Sequence, residues 1–358
     1  MQSSWLAPGL AWMRRLIVRT DATDAVGLGH LTRSLALAGE ARSIGCEVLG
    51  VGCLESDASR RAVDNVVDEW IDLPDREASH DSLTMLKLLI AERNPSWVVV
   101  DGYDFGYDYL CSVQSESKLL VIDDGARLEN YCADLLLDQN VGAERRNYRL
   151  QGGGRVLLGA KYALLRAQFK GGAKVRTASL KARSQRVLVS LGGLSETGEL
   201  LLVLQGLAQM STPLDITCLT GASSETQATI EKGVVSIFSG RPHNLKLVPY
   251  RDEMASLMVW ADVAVSAAGS ICLEMACKGL PMLLMVLADN QAPIAAEFDR
   301  LGAGISLGWL DNDTPDRVTR VLTELLMDQQ RLSLMGGGGL NYVDGAGASR
   351  VVKEMMGE

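Results

Sequence analysis

Leu16-Ile17-Val18 leads into Asp21-Ala22-Thr23-Asp24-Ala25-Val26-Gly27-Leu28-Gly29-His30-Leu31-Thr32-Arg33, and apolar residues then recur at helical spacing at Leu31, Leu35 and Ala38. That order reads as a strand, a glycine-rich turn and a helix N-terminus. Backbone N–H groups at such a turn can face an anion, and the helix dipole favours negative charge there. Gly27 and Gly29 allow close backbone approach, while His30 enters the first helical turn, where it suits a general base. Asp21 and Arg33 flank the same turn and join Gly27 and Gly29 as candidate substrate-binding residues. For this stretch alone the ordinary alternative is a βα turn whose histidine merely decorates the helix start.

Outward from residue 15 the chain alternates strand and helix. Apolar runs at 16–20, 47–51, 69–73, 97–101, 119–122 and 135–137 read as strands, with helices expected at 29–44, near 57–66 and at 83–93. Trp97-Val98-Val99-Val100-Asp101, Leu119-Leu120-Val121-Ile122-Asp123-Asp124 and Leu135-Leu136-Leu137-Asp138-Gln139-Asn140 share one design, a continuous apolar run ending in acids or amides. Such runs mark a parallel sheet covered on both faces, with ligands outside the carboxyl ends of its strands. The polar, basic stretch 171–184 reads as a linker. Beyond it strands are expected near 186–191, 215–219, 245–248, 263–265 and 281–287. Helices are expected near 197–210, 224–235, 253–260, 271–278, 292–301, 314–326 and 347–356. The fold class is therefore α/β, with two Rossmann-like doubly wound domains in tandem facing across a cleft. Their bounds are an extension at 1–12, a first domain at 13–170, the linker, and a second domain at 185–358.

The 358 residues carry a formal charge of −9, which argues against a nucleic-acid or anionic-membrane surface. An anionic ligand must then be held by local dipoles and a few placed side chains. Residues 1–12 are apolar but too short for a membrane span, and they lack a basic segment ahead of the apolar part. Seven scattered cysteines without a C-x-x-C pair, beside only three histidines, point to reduced thiols, a cytoplasmic protein and no metal site.

Ser266-Ala267-Ala268-Gly269-Ser270-Ile271-Cys272-Leu273-Glu274 is a second strand-to-helix junction made of small residues. N–H groups at Gly269 and Ser270 suit a diphosphate, and Glu274, one turn on, suits the two hydroxyls of a ribose. An N-cap at Ser270 and a dipole-stabilising acid at Glu274 form the plainer alternative. Gly192-Gly193 makes a tight turn after the strand ending at Ser190. Asp289-Asn290-Gln291 ends another strand with an amide pair suited to sugar hydroxyl or acetamido groups, though an N-cap explains it as readily. Tyr103, just after Asp101, is placed to stack on or hydrogen-bond to a sugar ring, although a surface tyrosine is the commoner case.

The motifs occur in a fixed order: Gly27-Leu28-Gly29-His30-x-x-Arg33, Asp123-Asp124-Gly125, Leu136-Leu137-Asp138-Gln139-Asn140 and Gly159-x-x-Tyr162-Ala163-Leu164-Leu165-Arg166. Ser190-Leu191-Gly192-Gly193, Ser266-x-x-Gly269-Ser270-x-x-x-Glu274 and Asn290-Gln291 follow. Over about residues 15 to 305 the series resembles the pseudaminic-acid pathway hydrolases, which remove UDP from UDP-2,4-diacetamido-2,4,6-trideoxy-β-L-altropyranose. More distantly it is similar to the transferase that adds GlcNAc to lipid-linked muramyl-pentapeptide. The resemblance implies GT-B architecture, with UDP on the C-terminal domain and the sugar and catalytic histidine on the N-terminal one. It implies His30 as the catalytic base, Asn290 and Tyr103 as active-site residues and Glu274 as the ribose-binding acid. Gly192, Gly193, Ser266, Gly269 and Ser270 complete the expected UDP site, and Gln291 joins the substrate-binding set.

One histidine is chemically sufficient for that reaction. A glycosidase needs two carboxylates because its leaving alkoxide must be protonated, whereas a nucleoside diphosphate leaves as a stable anion. What remains is a base for water and donors for the departing phosphate. The partners expected are thus a UDP-sugar and water, with no cofactor, no nucleic acid and no membrane span. The oligomeric state stays open, a monomer being favoured. Two other readings keep the fold: a glycosyltransferase whose histidine activates an acceptor hydroxyl, and a non-catalytic sugar-nucleotide binder.

Overall fold

The computed structural model describes residues 15–23, 26–73, 79–171, 185–192, 197–220, 224–249 and 253–358. Asp24, Ala25, Gly193 and the linker stretch from 172 to 184 lie outside the described residues. The chain divides into two compact units, one formed by 1–170 with 345–358 and the other by 171–344.

The first unit runs β1 (Arg15–Thr20), α1 (Gly29–Ser43), β2 (Glu47–Gly52), α2 (Asp57–Val63), β3 (Glu69–Asp72) and α3 (His80–Arg93). It continues through β4 (Trp97–Asp101), α4 (Tyr107–Gln114), β5 (Leu119–Ile122), β6 (Tyr131–Cys132), β7 (Leu135–Asp138), β8 (Leu150–Gln151) and β9 (Arg155–Leu158). Its main sheet has the order β3-β2-β1-β4-β5-β7-β9, with β6 and β8 pairing separately. Every pairing is parallel. Strand alternation distributes the apolar runs to two cores. Leu16, Val18 and Val99 face Leu31, Leu35 and Ala38 of α1, while Ile17, Val98 and Val100 face Leu86 and Ile90 of α3 and Leu110 of α4. This double burial is why the strands lack polar alternation.

The second unit runs β10 (Gln185–Ser190), α5 (Thr197–Ala208), β11 (Leu214–Thr220), α6 (Ser224–Phe238), β12 (Asn244–Pro249), α7 (Met254–Trp260) and β13 (Val263–Ala267). Then come α8 (Ile271–Cys277), β14 (Met282–Val286), α9 (Ala292–Arg300), β15 (Gly304–Trp309), α10 (Thr314–Met327) and α11 (Gln329–Tyr342). Its sheet is also parallel, in the order β12-β11-β10-β13-β14-β15. The order reverses between β1 and β4 in the first sheet and between β10 and β13 in the second, the switch points at which doubly wound sheets bind ligands.

The final helix, α12 (Gly347–Met356), corrects the expected bounds of the second domain, because it returns to the first unit. Ala348, Val351, Val352 and Met355 enter the α1-side core, and the Trp97 indole N–H donates to the Met355 carbonyl at 2.9 Å. The expectation of reduced thiols is corrected at one pair: Cys111 and Cys132 form a disulfide that ties α4 to β6, 21 residues apart. Local spacing gave no sign of it, since it depends on β6 packing on α4. No helix among the described residues is long and apolar enough to cross a membrane.

Candidate active site

Strand register sets up the site. Thr20 pairs with Asp101, Asp101 with Ile122 and Ile122 with Leu137, so four carboxyl ends stand side by side. From them issue the glycine turn after β1, Tyr103 after β4, Asp123 and Asp124 after β5, and Asn140 after β7. Gly27, at φ 73°, bends the first of these loops into the α1 N-terminus, a conformation that suits glycine. His30 and Arg33, one helical turn apart, then project to the ends of β4 and β5.

His30 is buried, and its Nδ1 lies 2.7 Å from Asp101 Oδ1. Ionised Asp101 can only accept, so Nδ1 carries a proton, and in the neutral imidazole the lone pair then lies on Nε2. Arg33 Nη2 also lies 2.9 Å from that Nδ1, and two donors cannot bond each other; both serve Asp101. Arg33 grips Asp101 with Nε at 2.7 Å and Nη2 at 2.5 Å, and Ser34 Oγ adds a donor at 2.9 Å. Arg33 Nη1 reaches both oxygens of Asp124 at 2.7 Å. Burial alone would push the Asp101 carboxyl up, but the charge of Arg33 and the hydrogen bonds from Arg33 and His30 hold it well below the usual carboxylate range. Asp124 is lowered for the same reason, with burial opposed by Arg33. Arg33 is raised well above its ordinary value, because the two carboxylates outweigh its burial.

Tyr103 closes the group. Its ring meets His30 edge-on, 4.6 Å between centroids at 89°, and its O–H donates to Asp124 Oδ2 at 3.1 Å. Asn140 Nδ2 donates to Asp124 Oδ1 at 2.9 Å. The first unit thus brings His30, Arg33 and Tyr103 together, and adds Asp101, Asp124 and Asn140, to which no site role was assigned from sequence. The signal for them was the repeated apolar strand ending in an acid. Arg33, expected at the substrate, is instead buried and committed to two carboxylates. Asp21 is buried as well, its Oδ1 accepting from Arg19 at 2.6 Å and from the Cys53 amide at 2.8 Å, which braces β1 against the end of β2. Gly29 opens α1 behind Leu28, whose side chain provides no cap.

The remaining candidates lie in the second unit, at the carboxyl ends of β10, β13 and β14. Gly192 follows β10 at a φ of 88°. The Ser266 hydroxyl is spent on the Ser190 and Ala267 carbonyls at 2.8 and 3.0 Å. The Gly269 N–H, expected to face an anion, donates to the Ala267 carbonyl at 2.9 Å, because the chain turns tightly there. Ser270 stands at the start of α8 without capping it through its side chain, and Glu274 is buried on that helix. Asn290 is exposed, while Gln291 Oε1 accepts from the Leu287 amide at 3.0 Å. Among the described residues no cluster of His, Cys, Asp and Glu is arranged to hold a metal ion.

Residues 192–337 match the glycosyltransferase family 28 C-terminal domain. Among curated proteins, the chain is 26% identical over 241 residues to the spore coat polysaccharide biosynthesis protein SpsG of Bacillus subtilis, covering 66% of this chain and 69% of that one. It is 25% identical over 261 residues to the UDP-2,4-diacetamido-2,4,6-trideoxy-β-L-altropyranose hydrolase of Campylobacter jejuni, covering 72% and 86%. Among solved structures, Acinetobacter baumannii MurG superposes with a TM-score of 0.67 at 16% identity, over 96% of this chain and all of that one. The fold, two parallel-sheet α/β domains, is accordingly the GT-B fold.

Proposed function

We propose that this protein hydrolyses a UDP-sugar at the anomeric C–O bond, releasing UDP and the free sugar with inversion. The substrate assigned is UDP-2,4-diacetamido-2,4,6-trideoxy-β-L-altropyranose or a close UDP-sugar. The observation that carries the reading is the buried His30–Asp101 pair. Asp101 fixes the Nδ1–H tautomer, so Nε2 is a base with a defined direction. Nε2 takes a proton from water as the water oxygen bonds to the anomeric carbon. The bond from that carbon to the diphosphate oxygen breaks, and its electron pair leaves with UDP. Because UDP departs as an anion, no carboxylic acid is required. The similarity to the Campylobacter hydrolase supports the same chemistry.

Tyr103 and Asn290 are assigned to the sugar, with Gln291 offering its remaining amide nitrogen. In the second unit, Gly192, Gly193 and the Ser270 hydroxyl are assigned to the diphosphate and Glu274 to the ribose, while Gly269, its N–H already bonded to the Ala267 carbonyl, is assigned the close backbone approach. Ser266 serves that site by shaping the strand end, its hydroxyl being already committed. Gly27 and Gly29 contribute backbone at the α1 N-terminus.

The test is turnover of a panel of UDP-sugars in ¹⁸O-labelled water, without acceptor and with EDTA present. The diacetamido-trideoxyhexose is expected to release UDP, with the label in the free sugar. Label in a phosphate would overturn the mechanism, and loss of activity in EDTA restored by Mg²⁺ would overturn its metal independence. The match to a glycosyltransferase domain favours one second reading, in which His30 deprotonates an acceptor hydroxyl. UDP release that strictly requires an added acceptor would decide for it.

A further inference from the structure

Tyr103 stands on an exposed turn, 43% of the residue being open to solvent, and its O–H bond to Asp124 Oδ2 at 3.1 Å fixes the tip of the side chain but not its base. Arg127, from the loop after β5, holds it at three points. Its Nη1 donates to the Tyr103 carbonyl at 2.7 Å, its Nη2 donates to the Gly102 carbonyl at 3.0 Å, and its guanidinium lies over the Tyr103 ring, 4.8 Å from the centroid. The planar fork of an arginine matches two successive carbonyls and a ring face in a way that the single ammonium of a lysine does not.

Arg127 is itself anchored. Its Nε donates to Asp123 Oδ1 at 3.2 Å, and Asp123 is fully buried. Asp123 Oδ2 accepts from the amides of Gly125 and Ala126 at 2.9 and 2.8 Å, and lies 3.0 Å from the Tyr148 hydroxyl. These bonds hold Ala126 at a φ of 56°, a conformation unusual for a residue with a Cβ, and so fix the loop that carries Arg127. On the other side Gly102 is pressed against Phe105: a Cβ there would come within 2.7 Å of the ring.

We propose that Arg127 is a positioning residue that holds Tyr103 edge-on against His30, fixing at once the imidazole of the base and the tyrosine face offered to the sugar. The kinetic part rests on the reading of His30 as the base; the structural part does not. The protein has only three histidines, His30, His80 and His243, so the three Cε1–H resonances are assignable by single substitutions. An aromatic ring 4.6 Å away shifts the His30 signal through its ring current.

The experiment compares Y103L, R127M, R127K and the double variant Y103L/R127M in the free, full-length protein. The His30 resonance is expected to move in R127M most of the way to its position in Y103L. It is expected to move in the same direction in R127K and to stay at the Y103L position in the double variant, with His80 and His243 unshifted. In turnover, R127M is expected to lose about tenfold in kcat/KM, from one stacked cation and two hydrogen bonds. Y103L/R127M should be no slower than Y103L alone. A His30 signal unmoved in R127K and R127M overturns the proposal, and so do additive losses in the double variant. R127K, which keeps the charge beside Asp123, carries the test if R127M does not fold. If no UDP-sugar is turned over, the functional reading fails while the resonances still decide the role of Arg127.

Discussion

Asp101 lies beneath the imidazole of His30 and accepts from Arg33 and Ser34 as well, so its carboxylate cannot turn away without breaking four contacts. Both His30→Asn and Asp101→Asn are therefore expected to lower kcat by roughly 10²–10⁴, the range of a positioned general base. Their combination should be no worse than either alone, which single-turnover rates would check. Asp124 allows a test by pH. Burial pushes its carboxyl up, the Arg33 charge outweighs that, and the group lies below its ordinary value. Its contribution to stability is thus fully present above the ordinary aspartate value of about 3.9 and is lost as pH falls through the lower folded value. Asp124→Asn should be less stable than the wild type by about 1–3 kcal/mol at neutral pH. The gap should close on acidification below about pH 4, and urea midpoints from pH 7 to 3 would show a widening gap if the pairing with Arg33 were wrong. His30 was legible in the sequence because a glycine turn announces a helix start. Asp101 was visible only as a strand ending in an acid, since nothing local tells that β4 lies beside β1.

Among the elements, the strands were the easiest to read, because burial on both faces turns them into unbroken apolar runs. Helix α11 was not legible: Met335-Gly336-Gly337-Gly338-Gly339 reads as a breaker. It forms because glycine is what lets it approach its neighbours. A Cβ at Gly336 would fall 2.6 Å from the Gly279 carbonyl oxygen, and one at Gly339 would fall 3.0 Å from Ala276 Cα. Helix α12 was recognised as a helix but given to the wrong domain, since an apolar face does not name the core it joins. Its attachment is specific: Gly347 packs on the Ala163 backbone, and Arg350 donates to the Lys161 carbonyl at 2.7 Å. Met355→Ala is expected to cost roughly 2–5 kcal/mol, the usual range for a buried methionine. Hydrogen exchange should then quicken in α1 and β2 and stay unchanged in β10 and β11. Equal loss of protection in both sheets would mean that α12 does not belong to the first core.

On the scale of the whole molecule, each sheet reverses its strand order once, and each reversal carries its own set of candidate residues. The first holds His30 and its carboxylates, and the second holds the Gly269–Ser270 turn and Glu274. With a net charge of −9, the chain has no general field to gather an anionic nucleotide, so affinity must come from local groups such as these. If Glu274 accepts from the ribose hydroxyls, it acts on a part of the substrate remote from the breaking bond. It then contributes equally to the ground state and the transition state, and its loss raises KM while leaving kcat nearly unchanged. A hydrogen bond to a charged group is worth about 1.5–3 kcal/mol, so Glu274→Ala should weaken UDP binding by roughly 10–100-fold. His30→Asn should show the opposite pattern, with turnover lost and UDP affinity kept. Calorimetry with UDP and 2′,3′-dideoxy-UDP isolates the interaction: the wild type should prefer UDP, and Glu274→Ala should bind the two alike. If the wild type already fails to distinguish them, Glu274 is not the ribose ligand, and its burial on α8 serves the fold instead.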